Sequence, residues 1–264
     1  MTNNEIAELQ TQFVAKRNDL IREIKVSGKS YKPRELKVIN YMISKIQPAS
    51  QVDDYFKISI EGFIKACNLK WDEDNKWNNI VYIKKILEDI GIKKWWVKDK
   101  ERAKVEHLIG WFRNVDHDEE MVSFRFDEKI YPYLFALTKD KNYTQYQLIN
   151  SLQMDGKYSI RTYELLLSYF FATEKEKKIK FKIETFRELM DLGKIYPAFK
   201  DLRKNVIEPS MKDINRFANN MRVEWRVSKK AKGNKTIEIE FTMRRLTENE
   251  HADVMENQIR MDEV

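Results

Sequence analysis

The chain has 264 residues, 42% of them hydrophobic, and carries 49 Lys and Arg against 42 Asp and Glu, a net charge of +7. That length and composition support one or two domains with genuine cores. Cys67 is the only cysteine, which excludes a disulfide framework and a cysteine-based zinc site. No apolar run approaches the ~20 residues that span a bilayer, and the start, MTNNEIAELQ, is unlike a secretory signal, so a soluble cytoplasmic protein is expected.

In chain order, the spacing of Ile6, Leu9, Phe13, Leu20 and Ile24 predicts an amphipathic helix over residues 4–25. Pro33 opens a second helix carrying Leu36, Ile39, Met42, Ile43 and Ile46. Tyr55 to Ser59 reads as a short strand, with Ser59 placed to cap the helix EGFIKACNL. A helix from Asn78 to Asp89 follows, with Ile80, Ile83 and Leu87 inward and Gly91 as its stop. The segments IKKWWVKD, VEHLIGWFRN and MVSFRFD are rich in strand formers, and KIYPYLFAL closes the first unit as a helix. Lys139–Tyr143 reads as the join between two halves, and Thr144 with Gln147 as a capping box for a helix through Leu152.

The second half repeats the order of helices followed by a hairpin. SIRTYELLLSYF is a helix, IKFKI a strand and ETFRELMDL a helix. Pro197 then stands where a further helix can begin, with Phe199, Leu202, Val206 and Ile207 on its inner side. Asp201, Lys204, Asn205, Glu208 and Lys212 fall on the opposite side, and Arg203 lies nearer the apolar side. Pro209 is expected to kink or split this helix. Val223, Trp225 and Val227 alternate with Arg222, Glu224 and Arg226, and Ile237, Ile239 and Phe241 repeat the pattern on a return strand. Between them lies KKAKGNK, with Gly233-Asn234 as the turn. A helix exposing polar side chains beside a lysine-tipped hairpin is a winged-helix layout, with the helix in a major groove and the wing on phosphates.

Charge agrees with that reading. Residues 157–245 hold 22 Lys and Arg against 12 Asp and Glu, whereas the stretch from Leu246 holds 1 against 6. The fold class is therefore α+β, mainly helical, with two tandem winged-helix domains at 1–137 and 138–246, each a helical bundle with a β-hairpin wing. An acidic flexible tail, either a frayed helix or disordered, is expected at 247–264.

The stretch YTQYQLINSLQMDGKYSIRTYELLLSYF, then FRELMDL, YPAFKDLRKNVIEPSMKDIN and the basic hairpin, resembles the theta-type plasmid replication initiators that bind iterons, the RepB/RepE-like family. The resemblance is strongest over residues 144–243 and looser in the first half, where ISIEGFIKACNL carries it. It implies a bacterial, plasmid-associated protein that binds direct repeats at an origin as a monomer and helps open the adjacent duplex. It further implies recruitment of the host replication initiator, helicase and primase, and a monomer–dimer equilibrium in which dimers repress at an inverted-repeat operator. In that family the N-terminal winged helix makes the dimer contact and the C-terminal one gives most base readout.

Base contacts are accordingly expected at Asp201, Lys204 and Asn205 and, from the resemblance, Arg203, which could instead reach a phosphate. Lysine suits guanine, asparagine adenine and aspartate cytosine. Backbone contacts are expected at Lys200, Lys212, Arg222, Arg226, Lys229, Lys230, Lys232 and Lys235. Asn78, Asn79, Lys84 and Lys85, on the corresponding helix of the first half, are the candidate DNA contacts of the N-terminal domain. Trp95, Trp96, Trp111 and Phe112 are better read as core and subunit interface than as a platform for single strands.

An enzyme is not expected. His107, His117 and His251 are too scattered for the histidine pair of a nicking initiator, no phosphate-binding GxxxxGK loop exists, and DHDEE around Asp116 is an ordinary acidic turn. No cofactor or metal is implied. The competing readings are a winged-helix transcriptional regulator without initiator activity and an oligomerisation module that pairs plasmid copies.

Overall fold

The computed structural model describes residues 3–23, 31–51, 53–69, 72, 75–98, 104–135, 137, 142–231 and 235–259. The chain divides into two compact units, the first built mainly from residues 7–148 and the second from residue 149 onward.

The first unit runs α1 (Asn3–Thr11), β1 (Phe13–Arg17), α2 (Asn18–Glu23), α3 (Pro33–Ile43), β2 (Phe56–Ser59), α4 (Ile60–Ala66), α5 (Lys76–Gly91), β3 (Trp95–Lys98), β4 (Glu106–Ile109), β5 (Phe112–His117), β6 (Met121–Phe126), α6 (Tyr131–Leu134) and β7 (Tyr143–Gln147). Its sheets are antiparallel: β1 with β7, the ladder β2-β6-β5, and β3 with β4. Local chemistry explains the well-formed elements. Pro33 occupies the first turn of α3, where an N–H is dispensable, and the Glu35 carboxylate accepts from the Lys32 N–H at 2.8 Å. Ser59 caps α4 by accepting from the Gly62 N–H at 3.2 Å. Phe56, Phe124, Phe126 and Phe135 pack with ring centroids 5.4–6.3 Å apart to fill the space behind the ladder. The Asp118 carboxylate closes the β5–β6 turn by accepting from the Glu120 and Met121 N–H groups.

Two expectations fail here for one reason. Residues 4–25 are not a single helix, because the chain extends at Phe13–Arg17 to pair with Tyr143–Gln147, more than 120 residues away. Thr144 and Gln147 are thereby strand residues, and the Thr144 hydroxyl donates to Asn18 Oδ1 at 2.6 Å instead of capping a helix. The compact first unit accordingly extends to Leu148. Residues 24 and 25 lie outside the described residues. The helix expected on KIYPYLFAL is reduced to a 3₁₀ turn (Glu128–Ile130) and the four residues of α6.

The second unit runs α7 (Leu148–Leu152), α8 (Ser159–Leu167), β8 (Glu176–Lys182), α9 (Ile183–Leu189), α10 (Phe199–Leu202), a π-helical turn (Arg203–Ile207), α11 (Glu208–Phe217), β9 (Arg222–Lys230), β10 (Thr236–Arg244) and α12 (Glu248–Ile259). The sheet order is β8-β10-β9, so the return strand of the hairpin is central. Ile239, Phe241 and Met243 of β10 are fully buried, and Phe241 lies 5.6 Å from Phe186 of α9 and 6.1 Å from Phe181 of β8. That aromatic triad seats the sheet on the helices.

The acidic stretch expected to be flexible forms α12. Val254 is fully buried, and Glu250 accepts from both terminal nitrogens of Arg244 at 2.6–2.7 Å. Arg244, with the Thr247 N–H, holds the Glu250 carboxyl well below the usual carboxylate range. The clasp therefore stays charged across neutral pH, and its contribution declines as pH falls below the ordinary carboxylate range.

Candidate DNA-reading surface

The surface begins with the turn between α9 and α10. The Arg187 guanidinium donates to the carbonyls of Gly193 at 2.9 Å, Ile195 at 2.8 Å and Tyr196. Asp191, Gly193 and Tyr196 all take left-handed backbone (φ 53, 50 and 54), a conformation that non-glycine residues rarely adopt without support. Arg187 supplies that support at Tyr196. The following helix starts at Phe199 after an extended Ala198, so Pro197 stands two residues ahead of the helix rather than in its first turn.

The next nineteen residues are helical throughout but not uniformly α. Pro209 has no N–H to offer the Asn205 carbonyl, and its ring crowds that carbonyl. The chain responds by widening: the Glu208 N–H donates to the Arg203 carbonyl, five residues back. The helix is not split there and carries a π-turn. Leu202, Val206 and Ile207 remain buried, while Asp201, Arg203, Lys204 and Asn205 are all exposed. In such a turn residues i and i+5 are neighbours, so Arg203 follows Glu208 outward and its Nε lies 3.3 Å from Glu208 Oε1. Arg203 thus joins the polar face from which a regular helix would have rotated it.

The hairpin stands beside this face, with the Phe199 ring 6.4 Å from that of Trp225. On its outer side one buried carboxylate organises three strands: Glu240 of β10 accepts from Arg226 of β9 at 2.6–2.8 Å and lies 3.7 Å from Lys180 of β8. Ser228 donates to Glu238 at 2.7 Å in the same layer. Toward the tip, Lys229, Lys230 and Lys235 are exposed.

The family model described as Initiator Replication protein, WH1, matches residues 13–167, and that described as Initiator Rep protein, WH2, matches residues 182–243. The chain belongs to the initiator replication protein family. A replication initiation protein of Escherichia coli is 31% identical over 113 residues, 42% of this chain and 35% of that relative, so the match spans about a third of the relative's length. Among solved structures, the Pi initiator protein in complex with iteron DNA superposes with a TM-score of 0.70 at 17% identity. That match covers 90% of this chain and 99% of that one. The fold is therefore two winged-helix domains of the initiator type, as expected from the sequence.

Within the second winged helix of this family member, the expected site residues separate into free and committed groups. Lys200, Asp201, Lys204 and Lys212 are exposed on the helix, and the side chains of Lys204, Lys229, Lys230 and Lys235 carry no partner among the described residues. Asn205 is exposed, but its amide donates to the Asp201 carbonyl at 2.8 Å, which leaves its oxygen as the outward group. Arg226 is committed to Glu240. Arg222, expected on a phosphate, is half-buried at the base of the hairpin, donating to the Ala218 and Glu250 carbonyls and 3.7 Å from the Glu250 carboxylate. Lys232, like the Gly233-Asn234 turn, lies outside the described residues.

On α5 of the first unit, Asn79 serves the fold locally. It is buried, donates to the Asp72 carbonyl at 2.8 Å and accepts from the Asp72 N–H at 2.9 Å, fixing the loop before the helix. Asn78 donates to the Asp72 carboxylate, whereas Lys84 and Lys85 are exposed together with Trp77 and Val81. Of the aromatic group, Trp95 and Trp111 are core, and Trp111 donates to the Tyr31 hydroxyl at 2.8 Å; Trp96 is exposed. Among the described residues no three His, Cys, Asp or Glu converge as metal ligands. Arg187, Glu240 and Glu250 are the structural determinants that sequence reasoning missed. Their partners are carbonyls, cross-strand neighbours or a helix beyond the hairpin, none marked by a local motif.

Two substitutions test the division of labour on this surface. Lys204→Ala is expected to cost about 1–3 kcal/mol on a specific duplex and to relax preference at one base pair. Lys230→Ala is expected to weaken all duplexes alike and to lower the salt slope by about one. Binding of specific and random duplexes across a salt series measures both; an unchanged specific-to-random ratio for Lys204→Ala contradicts the assignment.

Proposed function

We propose that this chain is a plasmid replication initiator whose second winged helix binds direct-repeat DNA at an origin in a sequence-specific way. The observation that carries the reading is the exposed face Asp201–Asn205 beside a lysine-bearing hairpin, in a chain that matches both initiator winged-helix domains in tandem. The helix enters the major groove, where Lys204 and Asn205 meet base edges, and Lys229, Lys230 and Lys235 lie on phosphates. Binding helps open the adjacent duplex and load the host initiator, helicase and primase. The setting is the bacterial cytoplasm; no helix among the described residues is long and apolar enough to cross a membrane.

Affinity for duplex DNA is expected to fall on the order of 10³-fold or more between low and moderate salt, because each neutralised phosphate releases counterions. A titration of binding against salt checks this, and a flat response contradicts it.

The chain also pairs with a second copy through its first unit and, as a dimer, represses at an inverted repeat. Trp96 is 60% exposed and stands directly opposite Leu108, itself exposed, in the β3–β4 register. Two such apolar side chains on one face of a two-stranded sheet suit a two-fold contact with their own copies. Trp96→Glu is expected to shift the full chain toward monomer in sedimentation while leaving its far-ultraviolet circular dichroism unchanged. A dimer of undiminished affinity refutes this surface.

The protein has no strand-cleaving activity of its own. Supercoiled DNA carrying direct repeats is expected to stay intact with the protein and magnesium or manganese; a tyrosine-linked nicked product overturns the claim.

A further inference from the structure

In the second unit the large hydrophobic side chains are buried with few exceptions, and one exception lies on the reading side. Ile195 is 44% exposed on the turn between α9 and α10, four residues ahead of Phe199. It is not a loose loop residue. The Ile195 N–H donates to the Leu192 carbonyl at 2.9 Å, Leu192 is buried, and the Ile195 carbonyl accepts from Arg187 at 2.8 Å. The left-handed residues Gly193 and Tyr196 bracket it, and Arg187 holds both of their carbonyls as well. An apolar side chain held out on a pinned turn loses little freedom when it meets a partner.

The charges around it indicate which partner. Lys194 precedes it and Lys200 follows on the first turn of α10, and both are exposed. An apolar group among cations suits a polyanion that itself presents apolar groups. Duplex DNA does so in the major groove, where the C5 methyl of thymine projects from the base edge. Arg187 spends its donors on three carbonyls, so the turn meets DNA through Ile195 and the flanking lysines rather than through the arginine. We propose that Ile195 is a specificity-determining residue that packs against a thymine methyl next to the bases read by Lys204. This rests on the reading that α10 and the π-turn enter the major groove.

The test uses the full chain and duplexes that the wild-type protein selects from a randomised pool. Each thymine of the selected sequence is replaced singly by deoxyuridine, which removes only the methyl group. Wild-type binding is expected to weaken roughly three- to five-fold at one position, about the worth of one buried methyl group. Ile195→Ala is expected to bind the thymine and uracil duplexes equally at that position, with an unchanged melting temperature. Wild-type indifference to uracil at every thymine overturns the proposal, as does an Ile195→Ala protein that keeps the same sensitivity. A selection that enriches no sequence overturns the underlying reading as well. Enrichment with an intact Lys204 effect but no Ile195 effect overturns this proposal alone.

Discussion

The missing N–H of Pro209 sets the geometry on which the reading surface depends. An α-helix through this position would need that N–H for the Asn205 carbonyl and would also have to accommodate the ring. The five-residue bond from Glu208 to Arg203 relieves both demands and widens the turn. Leu202 and Val206 stay anchored in the core while three consecutive polar side chains between them face solvent. The result is a contiguous polar face at the helix's leading half. π-turns recur at functional sites for this reason.

That face is useful only if its approach to DNA is fixed, and the surrounding fold fixes it twice. Ahead of the helix, the three Arg187 bonds hold a turn whose backbone would otherwise relax out of the left-handed region. Beside it, Phe241, Phe181 and Phe186 seat the sheet, and Glu240 ties all three strands on the opposite side. Breaking such a carboxylate away from its two cations would leave a buried charge without compensation, so the pair acts as a register lock as much as a source of stability. The basic charges thus differ in role. Arg187, Arg222 and Arg244 brace the fold, Arg226 pairs with Glu240 while staying largely exposed, and the lysines of the helix and hairpin tip remain available.

Much of this was legible in the sequence, and the misses share a cause. Ser59 as a cap, Pro33 as a helix start, the alternation along β9 and the outward set Asp201, Lys204 and Asn205 are all local signals, and the structure places them as read. β1 and β7 could not be read, because neither has a strong period of its own and each exists only through a partner more than 120 residues away. Asn79 looked like any polar residue on a helix face until the Asp72 backbone turned it into a buried brace. Arg222 counted as free charge until α12 delivered Glu250 to it. Arg203 was misplaced by assuming one helical pitch through a proline.

The central claim is that the Asp201–Asn205 face enters the major groove of repeated sequence. Guanine N7 methylation interference on the DNA flanking this protein's own gene tests it most directly, because N7 lies in the major groove at the atom a lysine would contact. The account predicts interference at discrete guanines, recurring once per direct repeat, with phosphate ethylation interfering on either side. Binding blocked by phosphate ethylation alone, with methylated guanines tolerated throughout the bound region, would contradict it.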